Sequence, residues 1–427
     1  MLNTIIILLL FIWTYYLIIF GKSRKSVVAF SMGILALFVK VSENMTIKNI
    51  SYFVDFNTLG ILFGMMIIVG VMKSTGMFQA IAGFIVLKSK GKMPLIFSFT
   101  LLTVAVLSSI LDNVTTLLLF TPVILLICNE AGIKPELFIF PMIFAANIGG
   151  TATMIGDPPN ILISSASQKS FIEFLVVMII PTVIVFIISL IYFFIREKEM
   201  FHVTPERFQN LLKIEPKKAI TDFKLLKKCL VVFFLVILGF IIHEKFHYEA
   251  SLVALSGAAV ILLISNLSFE EISKEIEWDT LFFFFGLFTL VKAMEDANLI
   301  SYVTNSVSNL SSAPLLLILT MLWVSGILSA FIGAVPVATI FIPVVASLVN
   351  VVPLGGELWW ALALGASFGG NGTISGSAAN LVVVGMMESN FKTKVSFNDF
   401  MKKGMVITLI GLSFSSLYLI IRYLILK

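Results

Sequence analysis

The sequence predicts an all-α, polytopic membrane protein built from two inverted-topology repeats, with re-entrant hairpins and broken helices. Three observations lead there. Of 427 residues, 59% are hydrophobic and 12% charged, with 40 Phe, which leaves too little polar surface for a soluble chain of this length. Two segments, Gly149–Asn160 (GGTATMIGDPPN) and Gly369–Asn380 (GGNGTISGSAAN), keep Gly, Gly, Thr, Gly and Asn at the same places. Their Gly and Pro density would ruin an ordinary spanning helix, and in hydrocarbon such backbone persists only where protein or a water-filled cavity satisfies its polar groups. Paired interruptions in two halves are the mark of a transport site near the membrane midplane.

The first apolar run, Leu2–Phe20, is uncharged and long enough to span. Lys22, Arg24 and Lys25 follow it, the reverse of a signal peptide, so it reads as an uncleaved helix. Further runs occur at Val27–Val41, Leu59–Met72, Leu95–Leu111, Thr116–Cys128, Phe138–Ile148 and Phe174–Ile195. The interval 196–228 then carries nine Lys/Arg against five acids, which by the positive-inside rule makes it cytoplasmic. A second series follows at Cys229–Ile242, Ser251–Ile264, Leu281–Val291, Leu315–Ile332, Val335–Val349, Trp360–Phe368 and Val406–Ile425. The chain thus divides into a first transmembrane half, 1–195, a basic connection, 196–228, and a second half, 229–427. Several runs fall short of the roughly 20 residues a straight span needs, which favours half-helices and hairpins over a simple serpentine.

The repeat reaches beyond the opening motif. Val54-Asp-Phe-Asn-Thr-Leu59 recurs as Ile276-Glu-Trp-Asp-Thr-Leu281, Phe63-Gly64 as Phe285-Gly286, and Pro122 as Pro343, all at a spacing of about 221 residues. With Lys22–Lys25, Lys88–Lys92 and the basic interval all inside, the run from Leu59 and its copy from Leu281 cross in opposite directions. Inversion of the halves places the five acids of Glu270–Asp279 inside as well.

Asp112 and Asp157 are carboxylates within otherwise apolar or Gly/Pro-broken segments. Burial at membrane depth penalises their charged form, which makes a pathway, a proton site or a cation site physically natural. Capping of a half-helix N-terminus is the plainer use of either. Asn113, Thr115 and Thr116 follow Asp112 at the tip of the predicted first hairpin, where their oxygens would coordinate a small ion, sodium being the metal expected near Asp112 and Asn113. In the two broken segments, Asn147, Thr151 and Thr153 are read as facing Asn371, Thr373 and Ser375 across the centre, and Asn160, Ser377 and Asn380 are taken with them as candidate binding residues. Each Thr has the alternative of bonding a carbonyl four residues back.

Other features take plainer readings. Cys128 and Cys229 fit no metal spacing and read as buried small hydrophobes. Trp359 and Trp360 are expected at an interface belt, the Phe282–Phe285 run on a lipid-facing or packing surface, and Lys40, Lys73 and Lys292 snorkelling near helix ends. No resident cofactor is expected, and no P-loop or dinucleotide fingerprint occurs, so ATP drive would need a partner chain. The net charge of +5 belongs to loops and implies no nucleic-acid partner. No nucleophile, base and orienting group occur together, which argues against an enzyme.

The stretches Val54–Ile67, Leu111–Pro122, Asn147–Ile163 and Gly369–Gly385 closely resemble the ion transporter superfamily, in the branch of arsenical pump membrane proteins, P-protein-like carriers and citrate-type permeases. The resemblance implies hairpins and broken helices meeting at a midplane site, a homodimer in the cell membrane, and elevator-like motion. The second half departs from it. Gly333-Ala334-Val335-Pro336 stands where P-protein-like relatives carry Asp-Asn-Ile-Pro, and Asp157 is matched by Ser377. The expected function is secondary active transport of a small ion, such as arsenite, another oxyanion or an organic anion, driven by a proton or sodium gradient. The alternatives are a sodium/proton antiporter and, less favoured, an anion channel.

Overall fold

The protein is described by a computed structural model covering residues 2–21, 23–208, 212, 215–299, 313–391 and 395–427. Lys22 and Lys213, used above for orientation, lie outside the described residues. The first half folds as α1 (Leu2–Phe20), α2 (Lys25–Val39), α3 (Phe56–Ser74), α4 (Met77–Lys88), α5 (Met93–Ser108), α6 (Asn113–Ala131), α7 (Glu136–Gly150), α8 (Pro158–Ser167) and α9 (Phe171–Arg196). The second half comprises α10 (Phe223–Ile242), α11 (Ala250–Ser265), α12 (Trp278–Asp296), α13 (Pro314–Ile332), α14 (Ala334–Leu348), α15 (Glu357–Gly369), α16 (Ala378–Phe391) and α17 (Phe397–Leu426). No strand occurs among the described residues. Seven of their helices are long and apolar enough to cross a membrane. Val176, Ile180, Ile187 and Ile191 form an exposed apolar stripe on α9, as do Val231, Leu235 and Leu238 on α10, surfaces whose natural solvent is lipid.

Local chemistry starts these helices where they start. The Asp55 carboxylate accepts from Asn57 N at 2.9 Å and Thr58 N at 3.1 Å to cap α3. Ser170 caps α9 through Glu173 N at 3.0 Å, and Asp222 caps α10 through Leu225 N at 2.9 Å. Each cap satisfies an N–H that the helix itself leaves free.

The repeats are inverted. Tyr52, just before α3, donates its hydroxyl to Asp296 at the end of α12 at 2.8 Å, whereas Lys73 at the end of α3 pairs with Glu275 just before α12 at 2.5 Å. Equivalent helices therefore run antiparallel. Each also packs on a helix of the other half: a Cβ on Gly64 of α3 would lie 2.7 Å from the Ala254 backbone of α11, and one on Gly286 of α12 only 2.2 Å from the Ala29 backbone of α2. These two crossings build a scaffold of α1–α3 and α10–α12, while α5–α9 and α13–α17 pack among themselves as a second body.

The basic connection returns along one face. Thr221 N bonds Thr75 O at 3.0 Å and Arg207 Nη1 bonds Ala131 O at 3.0 Å, so the ends of α3 and α6 share this basic face. On the opposite face Ser251 N donates to Asn57 Oδ1 at 3.0 Å. Three of the five acids of Glu270–Asp279 have a base at close range: Glu270 pairs with Lys274, Glu275 with Lys73, and Asp279 with Arg24, Asp279 also accepting from Ser26.

Some expectations require correction. Met77–Lys88 forms a helix that the apolar runs miss, because Gln79, Gly83 and the flanking Lys73 and Lys88 break up its hydropathy. Trp359 and Trp360 do not lie in an interface belt; they are 4% and 1% exposed. Their helix, α15, is enclosed by α13, α14 and α17 of its own half and by α7 and α8 of the other, so none of its faces reaches lipid. The Phe282–Phe285 run needs no such correction: Phe282 is exposed and Phe284 is buried in packing, within the lipid-facing or packing surface expected of it. Lys73 and Lys292 do not merely snorkel, since they pair with Glu275 and Glu295.

Candidate functional site

Two hairpins and two broken helices converge at the centre. The α5–α6 hairpin turns at residues 109–112, and α13–α14 turns at Gly333, whose φ of +102° is natural to glycine alone. Between α7 and α8, and again between α15 and α16, the chain leaves the helix for about two turns.

The residues that the two motifs share build these breaks. A Cβ at Gly149 would come 2.1 Å from Ala105 O, and one at Gly369 would come 2.2 Å from Gly326 O, so each broken helix lies directly on its hairpin. Thr153 anchors its break by donating to Ser109 O, and Thr373 does the same to Ala330 O at 2.5 Å. Asn160 Nδ2 donates to Gly150 O at 3.3 Å and Thr153 O at 3.1 Å; Asn380 Nδ2 donates to Gly370 O and Thr373 O, both at 2.9 Å. The carbonyls released by each break thus find an amide, which is what irregular backbone inside a membrane requires.

A chain of side-chain hydrogen bonds then joins the halves. Asn113 Nδ2 donates to Asp157 Oδ1 at 3.2 Å and to Asn147 Oδ1 at 3.0 Å. Asn147 Nδ2 donates onward to Asn371 Oδ1 at 3.1 Å and Asn380 Oδ1 at 3.0 Å. Reciprocally, Ser367, which occupies the position of Asn147 in the second half, donates to Asn160 Oδ1 at 3.2 Å. All six of these Asn and Ser residues are buried.

In front of this network lies a cavity of about 120 Å³. Asp112, Asn113, Asp157, Ser375 and Ser377 line it, with Leu62, Met66, Phe283, Phe284, Ile332 and Val335 supplying apolar walls. Asp112 caps α6 by accepting from Thr115 N at 2.7 Å. Asp157 begins α8 but makes no cap bond; its carboxylate accepts from Asn113 instead. At the starts of α14 and α16 stand Gly333-Ala334 and Ser377-Ala378, with no acid. Four helix N-termini, each a partial positive charge, therefore face one cavity, two with a carboxylate and two without.

Of the other candidates, Asn147, Thr151, Asn160, Asn371 and Asn380 lie behind this wall, while Ser375 forms part of it. Of the residues read as facing one another across the centre, Asn147 and Asn371 meet directly. Thr151 donates to Asn147 O four residues back at 2.9 Å, the local alternative, and Ser375 donates to Phe331 O at 3.0 Å. Thr116 is fully buried, and its Oγ1 has no hydrogen-bond partner in the protein. Sequence reading missed Glu277, Lys25 and Thr280, which also line the cavity. Glu277 was visible as the counterpart of Asp55 in the repeat, but an acid beside a polar loop gives no sign that it turns inward. Among the described residues, no cluster of His, Cys, Asp and Glu is suited to a transition metal.

A membrane-embedded cavity at the meeting point of inverted hairpins is transporter architecture, and comparison decides the lineage. The citrate transporter family model (CitMHS) matches residues 15–365. The chain belongs to this family. It is 36% identical over 431 residues to a 46 kDa membrane protein of Mycobacterium leprae, covering 99% of this chain and 100% of that one. An uncharacterized transporter of Mycobacterium tuberculosis is 35% identical over 433 residues, covering 99% of both chains. The human P protein is 29% identical across 96% of this chain, which spans 59% of that longer protein. The YdaH transporter of Alcanivorax borkumensis shares the fold, with a TM-score of 0.55 at 14% identity, covering 98% of this chain and 97% of that one. This citrate transporter family member is a multi-pass membrane transporter and not an enzyme.

Proposed function

We propose that the protein is a secondary active transporter carrying a small oxyanion, neutral oxyacid or organic anion through the central cavity, driven by a proton or sodium ion held on the first-half carboxylates. The observation that carries this reading is the asymmetry of the four converging N-termini. Asp112 and Asp157 lie at the starts of α6 and α8, and supply the oxygens a proton or sodium ion would take. The starts of α14 and α16 carry no acid, so their helix-end dipoles are left for a solute's oxygen atoms. Cation and solute then offset each other's charge in a cavity with apolar walls. Asn113 bridges both sides of the site, since it touches Asp157 directly and reaches Asn371 and Asn380 through Asn147.

Arsenite, its oxyanion relatives and small carboxylic acids fit this description. A dicarboxylate held between two matching polar tips does not, because Ala334 stands opposite Asn113. The second reading, a sodium/proton antiporter in which Asp112 takes the two cations in turn, is favoured by one observation: three carboxylates and a single lysine line the cavity. We read the basic face as cytoplasmic and the protein as a homodimer in the cell membrane.

The test is purified protein in liposomes with imposed proton and sodium gradients, offered arsenite, citrate, sulfate, chloride and sodium. Accumulation of an oxyanion or acid against its own gradient, only when a cation gradient is present, is the expected result. Sodium movement against a proton gradient with no solute uptake favours the antiporter. Conduction without counter-ion dependence contradicts both.

A further inference from the structure

Glu277 breaks the symmetry of the scaffold. Its repeat counterpart, Asp55, folds back on its own helix, accepting from Asn57 N, Thr58 N and Thr58 Oγ1. Glu277, one methylene longer, makes no cap bond to α12. One carboxylate oxygen accepts from Thr280 Oγ1 at 3.0 Å, and the other accepts from Thr115 Oγ1 at 3.4 Å. The second bond passes from the scaffold to the tip of the first hairpin, so it joins the two packed bodies at the cavity. Thr115 has no such equivalent in the second hairpin, where Pro336 occupies its place.

The charges around this junction are unequal. Asp112 and Glu277 line the same cavity, one on the hairpin body and one on the scaffold, and Asp157 lies on the hairpin side as well. From α2, Lys25 supplies the one lysine of the lining. The neighbouring charges are already engaged: Asp279 with Arg24 and Ser26, and Glu275 with Lys73 of α3. The parts of α1 and α14 packed on α12 carry no Asp, Glu, Lys, Arg or His; their one titratable group is the buried phenol of Tyr15, which packs with Leu287 and is neutral at ordinary pH. A bare hairpin tip therefore brings two negative charges toward Glu277 and Lys25 offers one positive charge against them, in a cavity where apolar walls keep the repulsion strong.

We propose that Glu277 is a scaffold-side gating residue, which receives the first hairpin tip through Thr115 when that tip carries its coupling cation and repels it when the tip is bare. This rests on the cation-coupled reading of the site above. It gives a physical reason for the two bodies to move only when loaded: the scaffold itself senses the charge on the hairpin.

The experiment uses full-length protein lacking Cys128 and Cys229, with Ala378→Cys at the exposed cavity-lining start of α16, in vesicles labelled from the basic face with an impermeant thiol reagent. Sodium and proton concentrations are varied separately, and gradient-driven uptake is measured in parallel on matched protein that keeps Ala378. Otherwise unaltered protein should label roughly tenfold faster with the coupling cation than without it, the scale set by one strong charge interaction. Glu277→Gln, which keeps shape and acceptor but not charge, should label fast in both conditions. Glu277→Asp should keep the cation dependence, and Thr115→Val should slow labelling several-fold while keeping it. Cation-dependent labelling that persists unchanged in Glu277→Gln overturns the gating role, and so does cation-independent labelling of the protein carrying native Glu277. In both cases, continued cation-driven uptake leaves the transport reading standing; absence of such uptake removes the transport reading itself.

Discussion

Asn147→Ala tests whether the two halves are joined by the buried amide network. The substitution removes one bond accepted from Asn113 at 3.0 Å and two donated to Asn371 and Asn380 at 3.1 and 3.0 Å. A net contribution of about 1 kcal/mol for each gives a loss of about 3 kcal/mol. The partners are not wholly abandoned, since Asn113 keeps Asp157, Asn380 keeps its two carbonyls and Asn371 Nδ2 keeps Phe368 O. The equivalent position in the other half provides the control. Ser367→Ala removes a single bond, to Asn160 at 3.2 Å, for about 1 kcal/mol. Both variants should be unfolded by a denaturing detergent titrated into mixed micelles, followed by the fluorescence of Trp359 and Trp360, which are buried on α15, the helix that carries Ser367. A destabilisation about three times that of Ser367→Ala is expected for Asn147→Ala. Equal effects, or a loss below about 1 kcal/mol for Asn147→Ala, would refute the idea that this residue is the hub.

Three further outcomes follow from the same geometry. Thr116→Val should leave stability unchanged or raise it by about 1 kcal/mol, since the buried hydroxyl has no protein partner; a thermal melt without substrate checks this, and a clear loss of stability would show that the hydroxyl is already satisfied. Gly149→Ala should sharply reduce the yield of monodisperse protein, because its Cβ meets Ala105 O at 2.1 Å, whereas Gly356→Ala meets nothing within 4 Å and should not; size-exclusion profiles of the two compare them directly. Cysteines at Lys218 and Lys245, in protein lacking Cys128 and Cys229, should label from opposite sides of the membrane with an impermeant reagent, and same-side labelling would contradict the inversion.

Much of the architecture was legible because the repeat is written twice. Gly149 and Gly369, Thr153 and Thr373, and Asn160 and Asn380 are kept in both halves, and each performs the same mechanical task in the broken helix that it helps to build. Where the copies differ, the chemistry differs: Asp157 against Ser377, Asn113 against Ala334, Asn147 against Ser367. A cavity wall made of every polar residue in the motifs could not be separated in sequence from a layer of structural hydrogen bonds behind it. Thr151 and Asn160 look alike as candidates, yet Thr151 bonds the carbonyl four residues back, while Asn160 spends its amide N–H groups on the break and its oxygen on Ser367 of the other half. Glu277 and Lys25 were obscured for another reason. They belong to scaffold helices whose ends read as loops, and only the packing of α2 against α12 brings them to the cavity. Trp359 and Trp360 show the same limit in reverse, since an aromatic pair beside a short apolar run looks interfacial until the helices that enclose it are known.

In the proposed mechanism Asp112 is the carboxylate through which the gradient acts. The most direct measurement compares unaltered protein and Asp112→Asn in the same liposomes, first for accumulation of the transported solute under an imposed proton or sodium gradient, then for exchange of labelled for unlabelled solute with no gradient. The substitution keeps the shape of the hairpin tip and an oxygen able to accept from Thr115 N, so the protein should remain folded and inserted. Gradient-driven accumulation should be lost while exchange continues at a measurable rate. Accumulation at the unaltered rate at every pH and sodium concentration would contradict the central claim.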